Sequence, residues 1–214
     1  MQARSERTRR RLVRAAAETF DRSGYAGATL GQIARTAGLT KGALYFHFAS
    51  KDDLAGAVQE QGQAVLRDFA VRQREAGAAP VQQLIDLTHW LAWTLKEDPV
   101  VRAGFRITGE CAGRRHPAAD FHQAWITQAV GLVEQARAAG DLSPQHDTDG
   151  PKALLSAVVC GLQVLAASGM PYPELRRTTA ALWEFLLHSL VPAGHAGRYD
   201  VQAARLPARP ATAA

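Results

Sequence analysis

Apolar residues recur along this chain at three- and four-residue intervals, and no stretch shows convincing strand-like alternation. Over Arg7–Ser23, Leu12, Ala16 and Phe20 stand at i, i+4 and i+8, the stripe of an amphipathic helix. Gly24 is suited to stop it. Thr29 can cap a short helix from Leu30 to Ala37, with Leu30, Ile33, Ala34 and Ala37 inward, and Gly38 ends it. Thr40 can cap a second short helix over Lys41–Phe48. Ser50 can cap a longer one from Lys51 to about Glu75.

"EAGAAP" (Glu75–Pro80) breaks the pattern. Val81–Lys96 resumes it, with Leu84, Leu87, Leu91 and Leu95 spaced for one face. Pro99 can open a helix through about Thr108, followed by a loop over Gly109–Pro117. Phe121–Ala139 is helical, Asp141–Pro151 is a loop, and Lys152–Ala167 and Glu174–Leu190 are the last long helices. The predicted fold is all-α. The most apolar run, Ala153–Met170, is interrupted by Ser156, Gln163 and Ser168. It falls short of the roughly 20 residues of a membrane span, so it predicts a buried helix. It and Ala180–Leu190 are apolar on more than one face. Helices of that kind are covered by something, here by a second copy in a four-helix dimer interface.

Composition adds little until it is mapped. The 214 residues are 47% hydrophobic and 21% charged, ordinary for a globular protein. The charge is uneven: residues 1–50 carry nine basic and three acidic side chains, a net +6 out of +5 for the whole chain. A basic module on a near-neutral body points to nucleic acid or an anionic surface, with a solvated basic tail as the plain alternative. The start of the chain has no apolar core of a secretory signal. Cys111 and Cys160 form no disulfide framework or zinc spacing, and neither has a flanking sign of activation. A reducing cytoplasm is therefore expected. The seven histidines form no metal spacing, and all but His47 are expected to be surface or satisfied core residues. No P-loop, dinucleotide fingerprint, G-x-S-x-G or H-E-x-x-H occurs, so no enzyme and no cofactor is expected.

The densest signal is Leu39–Leu54, "LTKGALYFHFASKDDL". Two short helices joined by Gly38–Leu39–Thr40, behind a longer one, form a helix-turn-helix pattern. Lys41 opposes the dipole in the first turn of the second short helix, which an anion met there would explain. Gly42 lets the backbone approach a duplex closely. Leu44 and Phe48 can face the core at i, i+4. Phe46 is expected to pack toward the following helix. Tyr45 and His47 carry polar tips that can bond phosphate oxygens.

"TLGQIARTAGLTKGALYFHFASKDDL" resembles the DNA-binding domain of the TetR family of bacterial repressors. The resemblance covers roughly residues 7–54 and implies DNA contacts from Thr29, Thr40, Lys41, Gly42, Tyr45, His47 and Lys51. "DPVVRAGFRIT" (Asp98–Thr108), Trp125 and "VPAGHAGRYDVQAARL" (Val191–Leu206) extend it toward the γ-butyrolactone receptors of actinomycetes. That implies a helix-turn-helix domain at 1–50, a ligand-binding and dimerisation domain at 51–205, and a disordered tail at 206–214.

It also implies a homodimer on a palindromic operator, released by a small γ-butyrolactone or butenolide and controlling antibiotic genes. Trp125 matches a pocket tryptophan of that group. Gly161 falls where several members carry a pocket threonine. Gly62 falls near a pocket glutamine, with Gln61 and Gln63 on either side. Trp93 is a further pocket candidate, although core packing is the plain reading of Trp90, Trp93 and Trp183. The departures at Gly161 and Gly62 leave open a repressor answering to an antibiotic or other small molecule, and beyond it a DNA-binding protein with no ligand.

Overall fold

The computed structural model describes residues 2–110, 120–143 and 149–204. These residues form α-helices, one 3-10 turn at Ala196–Arg198, and no strand. The helices are α1 (Gln2–Gly27), α2 (Leu30–Thr36), α3 (Lys41–His47), α4 (Lys51–Glu75), α5 (Pro80–Glu97), α6 (Pro99–Glu110), α7 (Phe121–Ala138), α8 (Asp149–Ala167) and α9 (Tyr172–Leu190). Cys111, His116, His146 and the tail at 206–214 lie outside the described residues.

The chain packs as two compact units. One is Met1–Asp68 with Asp98–Trp125, and the other is Phe69–Glu97 with Ile126–Ala214. The first is built on the predicted stripe: Leu12, Ala16 and Phe20 are fully buried. They join Ile33 of α2, Leu44 of α3, Leu54 and Val58 of α4, and Ala103 and Ile107 of α6 in one core. The helix-turn-helix therefore does not close its core within residues 1–50, because α4 and α6 supply the floor.

Local signals are realised at most of the predicted joints. Gly24 has φ +74° and kinks α1 near its end. Thr29 and Gln32 form a reciprocal capping box. Thr40 accepts from Ala43 N–H at 3.1 Å, and Ser50 accepts from Asp53 N–H at 3.0 Å. At the turn, Gly38 takes φ +62°, where a β-carbon is disfavoured. The Leu39 N–H reaches Ala34 O and the Gly38 N–H reaches Arg35 O, both at 2.9 Å, a Schellman closure. Arg11 adds a bond to Ala37 O at 2.7 Å, which fixes the end of α2 to α1.

One expectation in this region fails. Phe46 does not pack toward α4; it is 81% exposed and meets only the edge of His47 among ring partners, at 5.2 Å between centroids. Leu44 and Phe48 already fill the inward side of so short a helix, and Phe46, two residues from each, is carried to the far side.

In the second unit, α5 is buried along nearly its whole length, from Val81 to Leu95. Trp90 stacks on Phe69 at 5.2 Å. Trp183 donates its indole N–H to Thr88 Oγ1 at 2.7 Å. His89 reaches Val201 O at 2.8 Å. Trp90, Trp93 and Trp183 are all core residues. Helix α8 is buried along one face only within the single chain, as suits a helix to be covered by a second copy. Only Pro151, Leu155, Val159 and Leu162 are buried, while Val164 on α8 and Phe185 on α9 stand out at 68% and 76% exposure. It alone among the described helices is long and apolar enough to cross a membrane.

Candidate nucleic-acid interface and effector site

Thr29, Thr40, Lys41, Gly42 and Tyr45 all lie on exposed surface of the first unit, and His47 is half-buried. Thr29 and Thr40 are tied by the caps they form, but a capping hydroxyl keeps capacity for a further bond. A β-carbon on Gly31 would lie 2.9 Å from Lys41 Cε, so the lysine stem runs across α2 at the one position without a side chain. This closeness holds α3 against α2 while Lys41 remains exposed. The other basic residues nearby are partly committed. Arg10 pairs with Glu6 at 3.2 Å, Arg14 with Glu18 at 3.3 Å, and Arg9 lies over the Phe48 ring at 5.4 Å.

Lys51 is committed most of all. Its ammonium donates to Tyr25 O at 2.9 Å and Ala28 O at 3.2 Å, with Ala26 O at 3.5 Å, and lies 4.4 Å from the centre of the Tyr25 ring. The resemblance implied a phosphate contact here. The structure instead spends this cation on carbonyls at the end of α1, which lack helical partners and carry partial negative charge.

A second group lies at the start of α7. Trp125 is fully buried, and its Nε1–H has no hydrogen-bond partner among the described residues; His122 Nε2, also buried at that atom, has none among them either. The histidine corrects the expectation of satisfied core residues. A buried polar atom without a partner costs about 1–3 kcal/mol, so an indole donor and an imidazole nitrogen, donor or acceptor by tautomer, within one helical turn mark a place for something polar. Their surroundings are aromatic: Phe105 meets Phe121 edge-on at 5.0 Å and His122 at 5.7 Å.

Phe121 fills a slot cut by two glycines. A β-carbon on Gly62 of α4 would lie 2.9 Å from its ring, and one on Gly104 of α6 would lie 3.2 Å from its Cβ. Gln59 closes the same junction. Its Oε1 accepts from Phe121 N–H at 3.0 Å, and its Nε2 donates to Gly104 O at 3.1 Å and Thr108 Oγ1 at 3.3 Å. Sequence reasoning missed Gln59, Phe121 and His122. The readable signal was a glutamine in an inward register, since Ala55, Gln59, Gly62 and Leu66 are all buried on one side of α4.

From this junction α6 reaches the helix-turn-helix. Arg102 pairs with Asp21 at 2.8 Å, and Arg106 Nη1 donates to Asp21 O at 2.6 Å. Arg106 also holds Glu110, whose Oε2 accepts from Ala26 N–H at 3.0 Å. Burial works against the Glu110 charge, but the Ala26 N–H and Arg106 outweigh it and hold its pKa below the usual value.

The remaining sequence candidates do not join this group. Gln61 is exposed on α4 and Gly161 is exposed on α8, while Gln63 is half-buried. Trp93 is buried in the second unit. That unit has a separate, small apolar pocket of about 20 Å³, with walls that include Leu84, Val133, Leu155, Leu182 and Trp183. None of the sequence-proposed ligand residues lines it.

Comparison with known proteins agrees with this layout. Residues 12–58 match the bacterial regulatory proteins of the tetR family, and residues 78–192 match the tetracyclin repressor-like C-terminal domain. The A-factor receptor protein of Streptomyces griseus is 33% identical over 195 residues, which span 90% of this chain and 67% of that one. The TetR family protein CprB from Streptomyces coelicolor, solved in complex with its biological operator sequence, superposes with a TM-score of 0.76 at 34% identity, covering 94% of this chain and 97% of that one. A γ-butyrolactone receptor described as ArpA-like superposes with a TM-score of 0.75 at 32% identity, covering 95% and 97%. With a helix-turn-helix at its N-terminus and the C-terminal domain matched beyond it, the chain belongs to the TetR family and is a DNA-binding repressor of that family.

Proposed function

We propose that this repressor binds a palindromic operator as a homodimer in the cytoplasm and is released by a γ-butyrolactone-type effector, without catalytic turnover. The observation that carries the effector reading is the unpartnered indole N–H of buried Trp125, with His122 beside it. A lactone carbonyl is an acceptor of the size and polarity that such a donor lacks. The similarity to receptors of A-factor and γ-butyrolactones supports that chemical class.

The DNA contacts in this reading are Thr29, Thr40, Lys41, Gly42, Tyr45 and His47, without Lys51. The dimer face is α8 with α9, where Ala157, Gly161, Val164 and Phe185 are exposed. A β-carbon built on Gly161 would meet no atom outside its own helix backbone within 4 Å, and this leaves room for a partner helix at close range. Two modules held by that face would sit one DNA turn, or a multiple, apart.

Release follows the contacts of the first unit. An effector bonded to Trp125 displaces the start of α7, and with it Phe121. Phe121 has no slack against Gly62 and Gly104, so α4 and α6 shift, and α6 carries the shift to α1 through Arg102, Arg106 and Glu110. The effector must bind the shifted state better than the operator-bound one, or it moves nothing.

A second reading, in which an antibiotic or other apolar molecule is the effector, takes the wholly apolar lining of the small pocket in the second unit as its point of entry and requires that pocket to widen. Nitrogen-15 NMR of the indole N–H groups separates the two. The Trp125 signal, assigned by its loss in Trp125→Phe, should move downfield when synthetic γ-butyrolactones are added. If it stays still while Trp183 responds, the effector sits in the apolar pocket.

A further inference from the structure

Phe46 is the most exposed large apolar side chain among the described residues, and it stands on a seven-residue α-helix, beside residues that meet DNA in the reading above. We propose that Phe46 reads the operator directly, by seating its ring against the C5-methyl group of a thymine in the major groove. The inference rests on the DNA-binding reading and adds to it a base-reading contact.

Three observations carry it. First, Leu44 points wholly into the core. Gly42 and Phe46 each lie two residues from Leu44, about 160° round the helix on either side, and together face directly away from the core. Any duplex that approaches the bare Gly42 backbone meets Phe46 one turn on. Second, Phe46 has no structural employment. Its ring is 81% exposed and lies 5.2 Å from the His47 ring in a T-shaped pair, whereas Tyr45 beside it, at 57% exposure, has a phenol suited to phosphate. Third, phenylalanine has no hydrogen-bonding atom, so it cannot serve a phosphate as its polar neighbours do. The major-groove edge of DNA offers one distinctive apolar feature, the thymine methyl, and phenylalanine is among the side chains that contact it.

The test needs the operator first. It is obtained by selecting duplexes from a random-sequence pool with the full-length wild-type protein. Each thymine of the selected duplex is then replaced, one at a time, by deoxyuridine, which removes only the methyl group. Binding by wild type, Phe46→Ala and Phe46→Leu is measured by fluorescence anisotropy. Because Phe46 lies on the surface, both variants should fold and dimerise as wild type does.

For wild type, one thymine in each half-site should lose about fourfold in affinity on methyl removal, the weight of one buried methyl. Phe46→Ala should bind the thymine duplex correspondingly weakly and show no further loss with uracil at that position. Phe46→Leu should keep part of the discrimination. The inference is overturned if the thymine–uracil difference survives in Phe46→Ala at every position, because another side chain then reads the methyl. It is equally overturned if Phe46→Ala weakens all duplexes alike with unchanged discrimination, which would place the ring on the sugar–phosphate backbone. If selection enriches no sequence at all, the DNA-binding reading fails, and this inference with it.

Discussion

Replacing Lys51 by methionine distinguishes a phosphate contact from an internal clasp. In the structure the ammonium serves Tyr25 O and Ala28 O within 3.2 Å and lies over the Tyr25 ring. Hydrogen bonds to a charged group contribute about 1.5–3 kcal/mol. The ring contact adds about 0.5–1 kcal/mol at a partly exposed site. Methionine keeps most of the stem packing but none of these contacts, and water can reach some of the freed carbonyls. A loss of about 2 kcal/mol is therefore expected, which lowers the melting midpoint by roughly 4–8 °C for a chain of this size. Calorimetry measures this directly. The companion measurement is operator affinity against salt. If Lys51 neutralised a phosphate in each protomer, its removal would flatten the logarithmic salt slope by about 0.9 per phosphate. The clasp predicts a lower midpoint with an unchanged slope. An unchanged midpoint with a flattened slope would refute it.

Other outcomes follow from single contacts. Gly62→Ala forces a methyl to within 2.9 Å of the Phe121 ring and should cost about 1–3 kcal/mol; chemical denaturation measures it, and operator affinity should fall even without effector, because α4 is pushed as an effector would push it. Trp183→Phe deletes the bond to Thr88 in the buried core of the second unit and should cost about 1–3 kcal/mol in the same assay, with effector response retained by the remaining protein. His89 is held neutral chiefly by burial, so its pKa is lowered below 6.5. The unfolded chain then takes up a proton that the folded one refuses, and stability should fall as pH drops below about 6.5. In His89→Gln, which can still donate to Val201 O, that part of the pH dependence should disappear from the melting midpoint.

The helix-turn-helix was legible because its signals are local. The i, i+4 stripe of Leu12, Ala16 and Phe20, the caps at Thr29, Thr40 and Ser50, and the glycine at Gly38 each act within a few residues. What escaped depends on distant partners. Nothing near Lys51 in sequence announces that its ammonium will meet carbonyls more than 20 residues back. Gly62 and Gly104 look like ordinary helix-weakening glycines until Phe121 is seen to occupy the space between them. Phe46 was misplaced for a different reason: its hydrophobicity suggested burial, but Leu44 and Phe48 already supplied the two inward positions that so short a helix provides.

Trp125 was singled out by resemblance alone; the feature the proposal rests on, a buried indole donor without a partner among the described residues, depends on packing that no local signal announces. Gln61 and Gly161, carried over by resemblance, are exposed in the single chain, a surrounding that resemblance alone does not reveal.

The central claim is that one molecule at Trp125 controls grip on DNA. Fluorescence anisotropy of the selected operator duplex, bound by wild type or Trp125→Phe and titrated with synthetic γ-butyrolactones, tests it most directly. Wild type should release the duplex, whereas Trp125→Phe should bind it with unchanged affinity and need at least tenfold more compound for release. Equal release from both proteins would contradict the claim.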